Sequence, residues 1–110
     1  MTARTSIRPD GRKAKDAAHL TKILKQHLPE LSNEYKISFL GIFGSYVRGE
    51  QKEESDLDIL VEFSEAPDLL EFVELKEDLS KILGVKVDLV MKSALKPRIG
   101  KRILKEVVQI

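Results

Sequence analysis

Residues 41–63, GIFGSYVRGEQKEESDLDILVEF, constrain the fold of this chain more than any other segment. An apolar run ends at Gly44, which predicts a strand that meets a tight turn. After a polar loop, Asp56 and Asp58 lead into a second apolar run, which predicts a second strand. Side chains alternate between the two faces of a strand, so both aspartates should point to one face and Leu57 to the other. The segment therefore predicts a strand–turn–strand unit with two carboxylates on one face.

Two carboxylates side by side repel each other unless a cation lies between them. Mg²⁺ prefers oxygen ligands of this kind and is commonly bound together with phosphates. The preceding turn offers what a phosphate requires: Gly44 permits close approach of the backbone, Ser45 offers a hydroxyl group, and N–H groups at the start of a helical turn attract anions. Arg48 could donate two hydrogen bonds to a phosphate, with a solvent-exposed arginine as the alternative. The segment predicts a site that handles a nucleotide.

A third carboxylate, Asp88, lies on a later predicted strand. Val87 and Leu89 alternate with it as core residues, so Asp88 should point to the opposite face. If this strand lies beside the one that carries Asp56 and Asp58, three carboxylates meet above the sheet; an aspartate that faces water at a strand edge is the alternative. Three carboxylates can hold two Mg²⁺ ions about 4 Å apart, which stabilises the attacking and leaving oxygens of an in-line displacement.

Two sequence motifs connect the chain with a known family. FGSYVRG, at 43–49, and SDLDILV, at 55–61, resemble the motifs of the nucleotidyltransferase superfamily related to DNA polymerase beta. They are most similar to those of its small stand-alone members, the minimal nucleotidyltransferases of HEPN/MNT toxin–antitoxin pairs. The resemblance extends from about Leu20 to a similar tail around 97–108, and it implies the nucleotidyltransferase fold. It also implies a third acid on a later strand, where Asp88 falls.

The expected reaction is Mg²⁺-dependent transfer of AMP from ATP to a hydroxyl acceptor, with release of pyrophosphate. In a two-ion arrangement, Asp56 and Asp58 would bridge both ions, and Asp88 would complete the ion nearer the acceptor and help to deprotonate its hydroxyl. Gly44 and Ser45 would hold the β- and γ-phosphates. The resemblance implies that the acceptor is a tyrosine of a HEPN toxin, which the chain would silence as an antitoxin in a hetero-oligomer.

The rest of the chain predicts a small α/β (α+β) domain. Helices are expected over 16–28, from Pro67 to Gly84 and over 95–108, and Pro29 is expected to end or interrupt the first of them. Strands are expected over 36–43, with Ile37, Phe39 and Phe43 on one face, and over 57–63 and 85–91. These elements predict a mixed sheet of three to four strands, with helices covering one face and the acids on the other. The final helix is expected to cover the core with apolar residues at helical spacing: Ile99, Ile103, Leu104, Val107 and Val108. Residues 1–15 are predicted to be a basic, flexible arm, and 16–110 a single nucleotidyltransferase domain.

Composition limits the functional classes. With 110 residues the chain has room for one domain, and its net charge of +1 offers no general field for binding nucleic acid, so direct nucleic-acid binding is not expected. The absence of cysteine excludes disulfides and thiol nucleophiles. No apolar run approaches a signal peptide or a membrane span, so we expect a cytoplasmic protein without membrane contact. A basic cluster near the last helix is expected to be a solvated face, or a surface for an acidic partner or RNA: Lys92, Lys96, Arg98, Lys101, Arg102 and Lys105.

Two alternatives to protein adenylylation remain open at this point. A non-catalytic antitoxin could mask its partner, although masking does not require three acids. Transfer to RNA or to a small molecule would require a separate acceptor-binding subunit, because a chain of this size has no room for an acceptor domain. The sequence does not identify the nucleotide base.

Overall fold

The computed structural model describes residues 16–110; the predicted basic arm over 1–15 lies outside the described residues. The helices are α1 (Ala17–Tyr35), α2 (Ser45–Arg48), α3 (Leu69–Leu83) and α4 (Pro97–Glu106). The strands are β1 (Ile37–Phe43), β2 (Leu57–Phe63), β3 (Val87–Met91) and β4 (Val108–Gln109), and a short 3₁₀ turn at Lys92–Ala94 follows β3. The strands form one sheet in the order β3-β2-β1-β4. Within the described range, no helix combines the length and the apolar character needed to cross a membrane.

The sheet is mixed, which confirms the predicted fold class. β1 pairs antiparallel with β2 and with β4, whereas β2 pairs parallel with β3. Parallel neighbours require a long crossover, and α3 provides it. Asp68 caps the start of α3 in a reciprocal capping box with Glu71, so α3 begins at Leu69 rather than at Pro67 as expected. Gly84, with φ of 68°, ends α3 as predicted.

Helices α1 and α3 cover one face of the sheet. Leu20 and Leu24 of α1 and Leu75 and Leu79 of α3 are fully buried against the sheet, in one cluster with residues such as Ile59. Burial of each such side chain contributes about 1.5–3 kcal/mol. The core therefore lies on the face opposite the aspartates, as the alternation predicts.

Helix α1 does not end at Pro29, so that expectation was wrong. The helix continues to Tyr35, and the proline is exposed to solvent inside it. Beyond the proline, Leu31 is 4% and Tyr35 8% exposed, and both belong to the core cluster. Packing of these side chains, together with the hydrogen bond from the Tyr35 hydroxyl to Asp78 of α3, outweighs the local cost of the proline.

Strand β1 contains a bulge that changes which residues share a face. Ile37, Phe39 and Phe43 were expected on one face, but the pairing with β2 shifts between Ile37 and Phe39. Leu40 and Ile42 consequently join the core cluster, and Ile37 packs against it as well. The extra residue of a bulge reverses the alternation of the side chains before it, and the expectation was therefore wrong for Ile37.

The final strand, β4, was not expected, because the last helix was predicted to continue to Val108. Instead α4 ends at Glu106, and β4 pairs with Gly41 and Ile42 of β1. A Cβ atom at Gly41 would lie 2.6 Å from Val107 Cγ2 and 3.1 Å from the Val108 carbonyl oxygen. The missing side chain of Gly41 is what allows the C-terminal segment to lie against β1.

Gly41→Ala is expected to destabilise the fold by about 1–3 kcal/mol, because its methyl group would force Val107 and β4 away from β1. The matched control is Gly100→Ala in α4, where the nearest atom to an added Cβ is 3.5 Å away and contact would be ordinary. Urea denaturation measures both free energies of unfolding, and the exchange rate of the Ile110 amide, which donates to the Leu40 carbonyl at 2.9 Å, reports on the C-terminal segment. Equal stability of the two variants would contradict this account.

Candidate active site

Two of the predicted acids lie on neighbouring strands in direct register. In the parallel pairing of β2 with β3, Asp58 is the partner of Asp88. Asp58 is half-buried and Asp88 is exposed, on the face away from the core. Asp56 is half-buried and directly precedes β2. The structure thus brings the two strands side by side, which was the condition that the sequence left open.

Asp58 is a partly buried carboxylate that lies close to two other acids. Burial, the negative charge of Asp88, a hydrogen bond with that carboxyl group and the charge of Asp56 together raise the pKa of Asp58 to about 6, against an opposing influence of Arg48. A raised pKa means that the folded chain resists the ionised form of this group. A bound cation would relieve the same repulsion.

The acids match the ligand chemistry of a hard divalent cation, since carboxylate oxygens are what Mg²⁺ prefers. Their repulsion at Asp58 is the structural observation that fits such an ion. In residues 16–110, however, no three His, Cys, Asp or Glu side chains are gathered into one cluster that could hold a metal ion. The pair Asp58 and Asp88 is therefore assembled, whereas the complete trio with Asp56 is not.

The predicted turn lies next to the acid pair because Phe43, at the end of β1, pairs with Asp58. Gly44 follows with φ of 84° and ψ of −153°, a conformation that residues with a Cβ rarely adopt. A Cβ at Gly44 would also overlap the Asp58 carboxylate. Only glycine therefore lets the backbone pass this close to Asp58. Ser45, half-buried, begins the four-residue helix α2, which carries Arg48.

The backbone N–H of Gly44 donates a hydrogen bond to Glu106, a residue that the sequence did not indicate. Glu106 Oε2 accepts from the Gly44 N–H at 2.7 Å, and its Oε1 accepts from the Arg48 guanidinium at 2.7 Å. Arg48 also donates through Nε to Glu50 at 2.9 Å. Burial would raise the pKa of Glu106, but the hydrogen bonds from Arg48 and Gly44 outweigh it, and the pKa lies below its ordinary value. Glu106 is separated from Gly44 by 62 positions, so no local spacing could have revealed this contact.

Beside the acids is a cleft of about 320 Å³. It is lined by Phe43, Gly44, Arg48, Asp58, Ile99, Arg102, Ile103 and Glu106. Helix α4 thus forms a wall of the cleft instead of covering the core: Ile99 is 48% and Leu104 46% exposed, and the expectation for this helix was wrong. The opposite face is already covered by α1 and α3, which leaves α4 to the acidic face.

The basic cluster near α4 divides in the structure. Arg102 lines the cleft, close enough that its charge lowers the pKa of Glu106. Lys92 instead lies 5.4 Å from the centre of the Phe39 ring and 3.8 Å from Glu62. Sequence periodicity placed Arg102 with the other solvated residues, but the position of α4 brings its guanidinium to the site.

Comparison with known proteins gives consistent matches. Residues 24–110 match the family model described as Nucleotidyltransferase domain. The protein adenylyltransferase MntA of Thermococcus cleftensis is 54% identical over 91 residues, which cover 83% of this chain and 92% of that protein. A solved structure assigned as a minimal nucleotidyltransferase matches with a TM-score of 0.68 and 36% identity, over 84% of this chain and 90% of the other. A chain of a toxin–antitoxin crystal structure with AMP-PNP matches with a TM-score of 0.64 and 26% identity. The match covers 77% of this chain and 70% of the other.

The crowding at Asp58 predicts a pH dependence of stability for the metal-free protein. Because the folded-state pKa of about 6 lies above the ordinary 3.8, the folded state binds the proton more tightly; the resulting stability is fully present below pH 4 and is lost as the pH rises through 6. Asp58→Asn is neutral at every pH and serves as the reference. In urea denaturation with a chelator present, we expect equal stabilities at pH 4 and a more stable variant at pH 7, on the order of 1 kcal/mol after allowance for solvent screening. A difference independent of pH would contradict the raised pKa of Asp58.

The close approach at Gly44 predicts a specific coupling with Asp58. Gly44→Ala should destabilise the fold more than Gly49→Ala, because Gly49 also has a positive φ of 72° but no atom within 4 Å of an added Cβ. Backbone strain at Gly49 is worth on the order of 1–2 kcal/mol. The cost of Gly44→Ala should fall in the Asp58→Ala background, as measured by a double-mutant cycle in urea. Additive effects of the two changes would show that the overlap has no energetic consequence.

Proposed function

The chain belongs to the nucleotidyltransferase family, and on that premise we propose that it transfers the AMP moiety of ATP to a hydroxyl group on a partner protein. As a member it is a nucleotidyltransferase enzyme; the nucleotide, the metal ion and the acceptor are the proposed parts. The observation that carries the proposal is the position of the Asp58 and Asp88 pair beside the Gly44 turn, at a cleft lined by two arginines. The relative named as a protein adenylyltransferase supports AMP as the group transferred.

The assembled pair, Asp58 and Asp88, together with Asp56, which would join them when the ions bind, are the residues that would hold two Mg²⁺ ions. When bound, the ions would supply charge neutralisation for the phosphates and for the developing negative charge of the displacement. Burial raises the pKa of Asp58, and repulsion from Asp88 and Asp56 raises it further; bound cations would remove that repulsion. This is the reason for assigning the ions to these acids.

The other residues of the site bind and orient the phosphates. The Gly44 N–H and the Arg48 guanidinium donate to phosphate oxygens, Ser45 offers its hydroxyl, and Arg102 adds positive charge to the cleft. Such fixed donors position the α-phosphate for attack without reorganisation during the reaction. The sequence assigned Gly44, Ser45 and Arg48 to this task; Arg102 joins them because it lines the same cleft.

In the displacement, the acceptor oxygen forms a bond with the α-phosphorus while the bond to the bridging oxygen of pyrophosphate breaks. The acceptor proton passes to Asp88, whose exposed position on β3 leaves it accessible to an incoming hydroxyl group. Pyrophosphate leaves with the electron pair of the broken bond. Asp88 then returns the proton to solvent, and the acceptor carries AMP.

The acceptor is proposed to be a tyrosine of a HEPN toxin, so that the chain acts as an antitoxin. The family resemblance implies this partner, and the likeness to a chain from a toxin–antitoxin complex supports it. Binding of the toxin would present its tyrosine at the open side of the cleft and make the active unit a hetero-oligomer. ATP and the toxin would meet in the cytoplasm, the location expected from the sequence.

We expect transfer of label from α-labelled ATP, in the presence of Mg²⁺, to the protein encoded by the neighbouring gene, where a HEPN toxin is expected. Asp56→Ala/Asp58→Ala should reduce transfer at least about 100-fold, because the charges that hold the ions are lost. Glu62→Gln is the matched control: it removes an exposed carboxylate from the same strand and should transfer normally. Mass spectrometry of the labelled toxin would identify the modified residue.

The same experiment separates catalysis from masking. Full neutralisation of the toxin by the wild type and by the double variant, without label in either case, would overturn the enzymatic proposal and leave a binding antitoxin. Label on RNA or on a small molecule in place of the toxin would overturn the proposed acceptor alone.

A further inference from the structure

We propose that Glu106 is an internal competitor for the phosphates of the nucleotide. In this structure its carboxylate takes up the two donors, at Gly44 and Arg48, that the proposed function assigns to a triphosphate. The inference rests on that proposed function for the place of the triphosphate. It adds a residue whose side chain the nucleotide must displace before it can bind productively.

The contact has the chemistry of phosphate recognition. A carboxylate and a phosphate both present two acceptor oxygens to a backbone N–H and a guanidinium. Glu106 uses both of its oxygens in this way, each at 2.7 Å from its donor. With these donors occupied, a phosphate oxygen can reach them only after the carboxylate has moved away.

The contact of Glu106 with its two donors is also weak enough for a nucleotide to displace it. The side chain of Arg48 is 46% exposed and that of Glu106 is 23% exposed. Because Arg48 is nearly half exposed, water and salt screen the ion pair on that side and reduce its contribution. A triphosphate brings several negative charges to the same donors and outcompetes a single carboxylate.

Glu106 can leave its place without unfolding its neighbours. It is the last residue of α4, and the Val107 N–H after it donates to the Ile103 carbonyl at 2.8 Å. β4 then holds the backbone against Gly41 and Ile42. The backbone is thus fixed on both sides of Glu106, so rotation of its side chain alone vacates the donors. Arg102, in the same cleft, is a second cation toward which the released carboxylate can turn.

A purely structural role for Glu106 makes the opposite prediction. If Glu106 only braces the Gly44 turn, its removal loosens the turn and weakens nucleotide binding. If it competes, its removal frees the donors and strengthens binding. The sign of the change in affinity therefore decides between the two roles.

The test is calorimetric titration of the purified chain, with Mg²⁺, against AMP-PNP and separately against inorganic triphosphate. Glu106→Gln keeps the shape of the side chain but removes its charge, and should bind both probes about 5- to 10-fold more tightly than the wild type. Glu50→Gln is the matched control, since Glu50 also accepts from Arg48, whereas the Gly44 N–H donates to Glu106; its affinities should stay within about 2-fold. Adenosine, which lacks phosphates, should bind equally to all variants.

Each other outcome has a definite meaning. Unchanged or weaker binding of both probes by Glu106→Gln overturns the competitor role, even where label transfer to the toxin proceeds as proposed. Tighter binding of inorganic triphosphate without label transfer retains the competitor and overturns the proposed function. Equal tightening by Glu50→Gln would mean that release of Arg48 alone causes the effect and would overturn the role of the Gly44 contact. Glu106→Ala, with its unfolding followed by urea, checks that altered affinity does not come from a destabilised fold.

Discussion

The parallel pairing of β2 with β3 is the constraint on which the candidate site depends. It places Asp58 in register with Asp88, two acids that are 30 positions apart in the chain. A parallel pair cannot be made by a tight turn, so the register is set by the crossover helix α3 and by how it packs. Leu75 and Leu79, fully buried, fix that helix on the opposite face of the sheet. The hydrophobic core thereby holds two like charges together that would otherwise separate.

The site divides its charges between two groups of elements. The acids belong to β2, β3 and the residue before β2, whereas the positive groups, Arg48 and Arg102, come from α2 and α4. The Gly44 turn lies between them: a Cβ atom added there would overlap the Asp58 carboxylate, and its N–H donates to Glu106, which in turn accepts from Arg48. A nucleotide with a bound metal ion matches this division, because its cation would face the acids and its phosphates would face the arginines. Glu106 lies beside Arg48, where the proposed function places the phosphates, and like a phosphate it carries negative charge.

Local features of the sequence were sufficient for the strand–turn–strand unit and for the face on which Asp58 and Asp88 lie, because alternation depends only on neighbours in the chain. The remaining features arise from tertiary contacts that no local pattern carries. Helix α1 continues beyond Pro29 because Leu31 and Tyr35 pack in the hydrophobic core. The two residues of β4 are too few to show a period, and they pair only because Gly41 leaves room. The position of α4 on the acidic face determines two further features. It brings Glu106 into contact with Gly44, and it makes Arg102 a lining residue of the cleft.

The pairing of β4 with the edge of β1 reduces the risk that the sheet pairs with another molecule. A strand at the edge of a sheet exposes unpaired N–H and C=O groups, which can recruit the strand of another molecule and start aggregation. β4 occupies that edge at Gly41 and Ile42, and the Ile110 N–H extends the cover to the Leu40 carbonyl. The glycine that admits β4 thus also closes the part of β1 nearest the site to intermolecular pairing, and so helps to keep neighbouring molecules in a crowded solution apart.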